Sequence, residues 1–146
     1  MEEADLDQVA EIEKSIFSMP WSRQAFLDSI RLAHTIYVVA ELGGRIVGYC
    51  GCYQVLEEAE ITNVAVEKSY RGRGIAFQML ETLMQIGKSQ GAFAYTLEVR
   101  ASNLTAIRLY EKLGFQSFGT RKNFYDKPVE DAVIMWRHWQ VAEGTP

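Results

Sequence analysis

The sequence predicts one mixed α/β (α+β) domain: a mostly antiparallel sheet containing one parallel strand-helix-strand unit, with helices on both faces. Three observations lead there. Between Thr35 and Val66 lie three runs rich in β-branched and aromatic residues, joined by connections so short that neighbouring strands must pair antiparallel. After Gly74 the apolar residues change to a helical period, and Tyr95 to Val99 then reads as a strand again. Such a crossover sets two strands parallel, nearly always with a right-handed connection. The chain has 146 residues, 48% of them hydrophobic and 23% charged, which suits a single packed domain over 1–146.

Each element has its own signal. From Ala4 to Phe17, Leu6, Val9, Ile12, Ile16 and Phe17 recur at helical spacing, and Asp5 or Asp7 can cap the start. Ser18-Met19-Pro20-Trp21 breaks the pattern. Ser22 then caps a second helix running to about Leu32, with Phe26, Leu27 and Ile30 on its apolar side. Thr35 to Leu42 is the first strand. Gly43-Gly44 turns it, because glycine tolerates positive φ. Arg45 to Leu56 returns, Glu57 to Ala59 turns again, and Glu60 to Val66 is the third strand. Ile75, Met79, Leu83 and Ile86 mark a helix that stops at Gly91. Beyond the strand Tyr95 to Val99, Ser102 or Asn103 caps another helix, with Leu104, Ile107, Tyr110 and Leu113 inward and Gly114 as its stop. Phe115 to Phe124 and Val133 to Trp136 are the closing strands.

Composition removes several function classes. No apolar run is long enough to span a bilayer, and no basic, apolar, small-residue leader opens the chain, so a cytoplasmic protein without membrane contact is expected. The net charge of −4 lacks the Lys/Arg surplus of non-specific nucleic-acid binding, and no direct nucleic-acid contact is expected. Cys50 and Cys52 lie at i and i+2 on one strand, poorly placed for a disulfide. Without further ligands nearby they read as buried free thiols, and no metal site is expected.

Chemistry concentrates after the third strand. Arg71-Gly72-Arg73-Gly74-Ile75-Ala76-Phe77 lies between the strand ending at Val66 and the next helix. Amides at a helix N-terminus are unsatisfied and partially positive, so a pyrophosphate fits there without any special side chain. Glycines let the anion approach the backbone, and Arg71 and Arg73 add donors. The loop alone does not identify its ligand: an ordinary turn with solvated arginines is an equal reading. It lacks the Lys-Ser/Thr ending of a P-loop and the G-x-G-x-x-G spacing of dinucleotide folds.

The order of these features resembles the GNAT superfamily of acetyltransferases. The family's Arg/Gln-x-x-Gly-x-Gly/Ala motif is matched by Arg71, Gly74 and Ala76, after the hydrophobic triplet Val64-Ala65-Val66. Glu98-Val99-Arg100-Ala101-Ser102-Asn103 and Leu109-Tyr110-Glu111-Lys112-Leu113-Gly114-Phe115 look like the second half of the signature. The likeness covers essentially the whole chain. Within the superfamily it is most similar to RimI-type enzymes, which acetylate the N-terminal alanine of a ribosomal protein. Pro20-Trp21-Ser22, the run Leu97 to Asn103, and Arg121 to Met135 with Tyr125 and Glu130-Asp131-Ala132 carry that similarity.

The resemblance implies a GNAT-like domain that uses acetyl-coenzyme A as acetyl donor, without a metal, on a protein N-terminus. The backbone of Val64-Ala65-Val66 would pair with the pantetheine arm, and an amide near Val66 would polarise the thioester carbonyl. Residues 71–77 would hold the pyrophosphate, and Asn103 would hydrogen-bond the donor or simply cap its helix. Glu98 would be the proton acceptor; it lies near the C-terminal end of a parallel strand, where open sheets place ligands. Its plain alternative is an ion-paired strand carboxylate. Tyr110 would protonate the leaving thiolate; its plain alternative is a core tyrosine. An α-amino group near pKa 8 needs only about 1.4 kcal/mol to deprotonate near neutrality, far less than a lysine near 10.4.

Other residues have weaker readings. His34 and His138 read as structural or exposed. Glu57, Glu58 and Glu60 either read a basic substrate or form a solvated turn. Trp21, Tyr125 and Glu130 shape an acceptor groove by resemblance only. Three other functions remain open: acetylation of a small-molecule amine, a non-catalytic acyl-CoA-binding module, and a nucleotide-binding protein. One departure from the family stands out. The first helix begins almost at Met1, leaving at most a stub at Met1 to Glu3 for the customary opening strand.

Overall fold

Thr35–Leu42 (β1) and Arg45–Val55 (β2) fold back on each other across Gly43 and Gly44, whose φ values of 58° and 78° are those of a type I′ turn. This structure is a computed structural model, and it describes residues 1–139. Residues 140–146 of the expected domain lie outside it. Glu58–Val66 (β3) pairs antiparallel with β2, two residues longer than expected because the turn tightens onto Leu56, at φ 54°. The helix Ile75–Ser89 (α3) then crosses over to Ala94–Arg100 (β4), which pairs parallel with β3. Leu104–Lys112 (α4) follows, and Gln116–Tyr125 (β5) and Glu130–His138 (β6) form a hairpin. β6 inserts beside β4, so the six-stranded sheet runs β1-β2-β3-β4-β6-β5. The mixed sheet and its parallel unit match the sequence expectation.

Helices cover both faces. Leu6–Ile16 (α1) and Arg23–Arg31 (α2) bury Leu6, Val9, Ile12, Phe26 and Leu27 against Ile46, Tyr49 and Ala65. α3 and α4 bury Met79, Leu80, Leu83, Met84, Tyr110 and Leu113 against Cys50, Cys52, Ile61, Val66, Leu97 and Val99. Full burial of each large apolar side chain contributes about 1.5–3 kcal/mol, so both interfaces hold the sheet firmly. The two cysteines are free thiols inside the second core. Burial pushes the Cys52 thiol up to about 12, and no catalytic thiolate forms there.

Some expectations need correction. Asp5 stands at the N-cap of α1, but its carboxylate accepts from the Glu2 amide at 2.7 Å, within the single 3₁₀ turn Glu3–Asp5. No strand precedes α1 among the described residues. Leu104, in the first turn of α4, is 58% exposed rather than inward. Ile86 also lies at the surface; the buried stripe of α3 runs instead through Met79, Leu80, Leu83, Met84 and Gly87. Gly87 must be glycine because a Cβ there would collide with the Tyr95 hydroxyl, which donates to the Met84 carbonyl at 2.9 Å. No helix among the described residues is long and apolar enough to cross a membrane.

Candidate active site

The site begins where β3 and β4 part. They pair only through Glu58–Glu60 against Ala94–Thr96. Beyond that point β3 keeps β2 as its partner and β4 keeps β6. The facing edges of Ile61–Val66 and Leu97–Arg100 therefore border an open wedge, with backbone donors and acceptors left for a ligand. A bulge sits at the parting: Gly51 faces Asn63 while Cys52 faces Ile61, so Thr62 is an extra residue in β3. Bulges bend a strand and increase its twist. Thr62 also shifts the side-chain phase. Ala59 and Ile61 face α3 before it, and Val64 and Val66 face α3 after it, which turns Ala65 toward α1 and α2.

The glycine-rich loop closes the wide end of the wedge. Gly72 and Gly74 have φ of 79° and 76°, the left-handed region that costs other residues about 1–2 kcal/mol. Gly74 is the N-cap of α3 and has no side chain to cap it. The amides of Ile75, Ala76 and Phe77 are thus left for an anion. A Cβ added at either glycine would meet nothing within 4 Å, so the cradle is open. The two arginines differ. Arg71 is turned back, its Nε donating to the Val66 carbonyl at 3.0 Å, and ties the loop to the end of β3. Arg73 lies over the Tyr70 ring at 5.1 Å, with Arg45 also over that ring at 5.9 Å. Arg45 in turn bonds both Glu67 oxygens, at 2.7 and 2.9 Å.

Glu98 and Tyr110 lie on opposite faces of β4. Leu97 and Val99 point into the core under α3 and α4, so Glu98 points to the other face. There α1 and α2 cover β1 to β3 only, and a cleft of about 290 Å³ opens among Glu60, Thr96, Glu98, Phe118, Arg121 and Trp136. The Glu98 side chain is 17% exposed and its carboxylate lies 3.3 Å from Arg121 Nε. Tyr110, on α4, is buried edge-on against Phe115, ring centroids 5.9 Å apart. Among the described residues no hydrogen bond holds its hydroxyl. Burial pushes its phenol well above the ordinary value, and the Cys50 thiol and Tyr125 push the same way. Burial likewise raises Tyr125 to about 12, reinforced by the Glu98 carboxylate and opposed by Arg100. Tyr125 therefore lies within electrostatic reach of both Glu98 and Tyr110.

Asn103 caps α4, its Oδ1 accepting from the Ala106 amide at 3.2 Å. His34 and His138 are exposed, the latter stacked on Trp136. Glu57 and Glu58 are solvated, whereas the exposed Glu60 lines the cleft. Three groups escaped sequence reasoning. Arg121 is the partner of Glu98 across the sheet. Arg100 bonds the turn of the β5–β6 hairpin through Asp126 and Pro128. Glu13 is a buried carboxylate that accepts from the Tyr49 hydroxyl and, at 2.8 Å, from the Trp21 amide. Its signal was present: Glu13 falls on the same helical stripe as Val9 and Ile12, where a solvated residue has no place. The Glu13 bond fixes the α1–α2 connection, and Trp21 packs on Phe26 at 5.3 Å.

The model of the acetyltransferase (GNAT) family matches residues 6–115. A Bacillus subtilis protein assigned as a ribosomal protein bS18-alanine N-acetyltransferase is 40% identical over 133 residues, 90% of this chain and 88% of its own. The N-alpha-acetyltransferase RimI of Mycobacterium tuberculosis is 36% identical over 140 residues, 92% of this chain and 87% of its own. Among solved structures, the ribosomal-protein-S18-alanine N-acetyltransferase of Escherichia coli superposes with a TM-score of 0.89 at 32% identity, covering 100% of this chain and 96% of that one.

Proposed function

This chain belongs to the acetyltransferase (GNAT) family, and from that premise we propose that it acetylates the N-terminal α-amino group of a ribosomal protein, an alanine, with acetyl-coenzyme A as donor. It works as a single cytoplasmic catalytic domain by direct transfer, with donor and acceptor bound together. The observation that supports the reading is the parting of β3 from β4, with Glu98 and Tyr110 on opposite faces of β4. An acyl group held in that wedge has a proton acceptor on one side and a proton donor on the other. The names of the relatives support the acceptor.

Each residue has a distinct task. The amides of Gly74, Ile75, Ala76 and Phe77, at the positive end of α3, bind the pyrophosphate, with Arg73 adding charge. The unpaired edge of Val64-Ala65-Val66 bonds the amides of the pantetheine arm, and Asn103, at the N-cap of α4, hydrogen-bonds the donor. Glu98 accepts the proton of the acceptor ammonium, directly or through a water. The freed amine attacks the acetyl carbonyl, a C–N bond forms, and the C–S bond breaks. An amide at Val66 steadies the carbonyl oxygen as charge grows on it. Tyr110 gives its proton to the departing thiolate. Burial raises the Tyr110 phenol, which keeps its proton in place in the resting enzyme and makes it a weaker acid toward the thiolate.

The test is mass spectrometry of ribosomal proteins from cells with and without this gene. One ribosomal protein should lose a 42-Da N-terminal mass, roughly that of the acetyl group the mechanism transfers. No change in any N-terminus would refute the acceptor. Release of free CoA with peptides, polyamines and aminoglycosides then separates this reading from a small-molecule acetyltransferase, and its absence with every acceptor would indicate a binding module.

A further inference from the structure

We propose that Arg100 is a positioning residue: its guanidinium clamps the β5–β6 hairpin over the acceptor cleft and so sets how an acceptor amine meets Glu98. The inference rests on the proposed function only in taking this cleft as the acceptor's site. Arg100 ends β4 two residues after Glu98 and therefore projects from the same face. Its Nη1 donates to the Pro128 carbonyl at 2.9 Å and its Nη2 to the Asp126 carbonyl at 3.0 Å. The same group lies 3.5 Å from Glu130 Oε1 and 4.5 Å above the centre of the Tyr125 ring. The other Glu130 oxygen accepts from the Ser102 amide at 2.6 Å. One guanidinium thus gathers the whole turn, and Glu130 anchors it a second time at the start of the β4–α4 connection.

The hairpin needs this anchor because its own ladder is weak. β5 is an edge strand, exposed along almost its entire length. Its pairing with β6 is interrupted between Ser117 and Thr120 and again between Arg121 and Tyr125. Across the second break a single side-chain bond, from the Asn123 amide to Asp131 Oδ1 at 2.9 Å, stands in for backbone pairing. Yet this interrupted segment carries Arg121, which pairs Glu98, and Tyr125, which lies within electrostatic reach of Glu98 and Tyr110. A loosely held segment would leave both at variable distances from the reacting amine. Near the reacting centre, misplacement of about 1 Å can cost on the order of a hundredfold in rate.

The clamp depends on shape and not only on charge. A planar fork can bond two carbonyls and lie flat on an aromatic ring at the same time, whereas an ammonium on a flexible stem cannot. Lysine at this position keeps the charge and loses the fork. Arg100→Lys, Arg100→Gln and Glu130→Gln are therefore compared with the unmodified enzyme. The readouts are kinetics toward an acceptor peptide, kinetics toward acetyl-CoA, and amide hydrogen exchange of the free protein. Both Arg100 variants should raise the KM for peptide about tenfold and lower kcat severalfold, while the KM for acetyl-CoA stays within about twofold. Amides of residues 121–127 should exchange about tenfold faster or more, with α1, α3 and β2 unchanged. Glu130→Gln should move the same quantities in the same direction by less.

Arg100→Lys that matches the unmodified enzyme in kinetics and exchange would overturn the clamp. So would accelerated exchange spread over the whole chain, or an equal loss toward both substrates. The exchange measurement needs no substrate. If the unmodified protein acetylated no acceptor, the functional reading would fall while the exchange data still decided the clamp.

Discussion

Replacing Tyr110 with Phe should separate catalysis from stability, and the structure predicts opposite outcomes for the two. The Tyr110 ring is buried edge-on against Phe115, and Phe keeps that contact. Its hydroxyl has no hydrogen-bond partner among the described residues. Removing a hydroxyl that makes no internal bond leaves nothing unpaired behind, so stability should change by less than about 1 kcal/mol, neutral or slightly favourable. For a chain of this size that is a Tm shift of at most about 2–4 °C. Loss of a positioned proton donor, in contrast, typically costs about 10²- to 10⁴-fold in turnover, or roughly 3–5 kcal/mol of barrier. Acetyl-CoA affinity should stay within about twofold, because the proposed pyrophosphate cradle and the β3 edge are untouched. Thermal unfolding, calorimetric titration with CoA, and single-turnover transfer to an acceptor peptide measure the three quantities. A variant that turned over normally would remove Tyr110 from the chemistry. A variant that lost several kcal/mol of stability would show that its hydroxyl is bonded and its role structural.

Three further outcomes follow from the geometry. Glu13→Gln should cost no more than about 1 kcal/mol, because the amide can accept from the Trp21 amide and donate to the Tyr49 hydroxyl, whereas Glu13→Ala leaves both unpaired and should cost about 2–5 kcal/mol in urea unfolding; equal losses would refute the bonding scheme. Gly74→Ala forces a side chain into φ 76° at a strain of about 1–2 kcal/mol, and should raise the KM for acetyl-CoA about tenfold while saturating turnover survives. Burial raises Tyr37, Tyr49, Tyr95, Tyr110 and Tyr125 above the ordinary phenol value. A raised folded value gives stability that is complete below about pH 10 and lost as pH climbs through the folded values. Tm should therefore fall steeply only above about pH 10, with phenolate absorbance from these five rings appearing together with unfolding; early, non-cooperative ionisation of the five would contradict it.

What could be read from the sequence was what depends on neighbours along the chain. β1 was legible to the residue, because a β-branched run ends at two glycines that only a tight turn would use. The caps at Ser22 and Asn103 were legible for the same reason: both oxygens bond amides three residues on. The glycine loop was legible as a tight strand-to-helix turn, since positive φ at Gly72 and Gly74 is a local requirement. Pairings set by the register of distant strands were not. Arg121 meets Glu98 only because β6 lies between β4 and β5 with a broken ladder, and no spacing in the chain encodes that. Arg100 was visible within the motif but without a partner, for its partners lie beyond the next helix and strand.

The Thr62 bulge stands between these two cases and shows how the site arises. Along β3 the buried positions run Ala59, Ile61, Asn63, Ala65 and Val66, and the residues facing α3 slip from odd to even numbers at Thr62. That slip is written in the sequence, as a strand whose alternation loses phase at a threonine. Its consequence is not, because the same slip inside a strand paired on both sides would only twist the sheet. Here it coincides with the last residues at which β3 holds β4, and the strands part. Had β3 kept strict alternation, Val64 and Val66 would have turned toward α1 and α2, and Ala65 toward α3. The valines would then no longer pack under α3, the helix that begins at Gly74. One extra residue thus marks where the strands part and keeps the freed edge of β3 in phase with the start of α3 at Gly74.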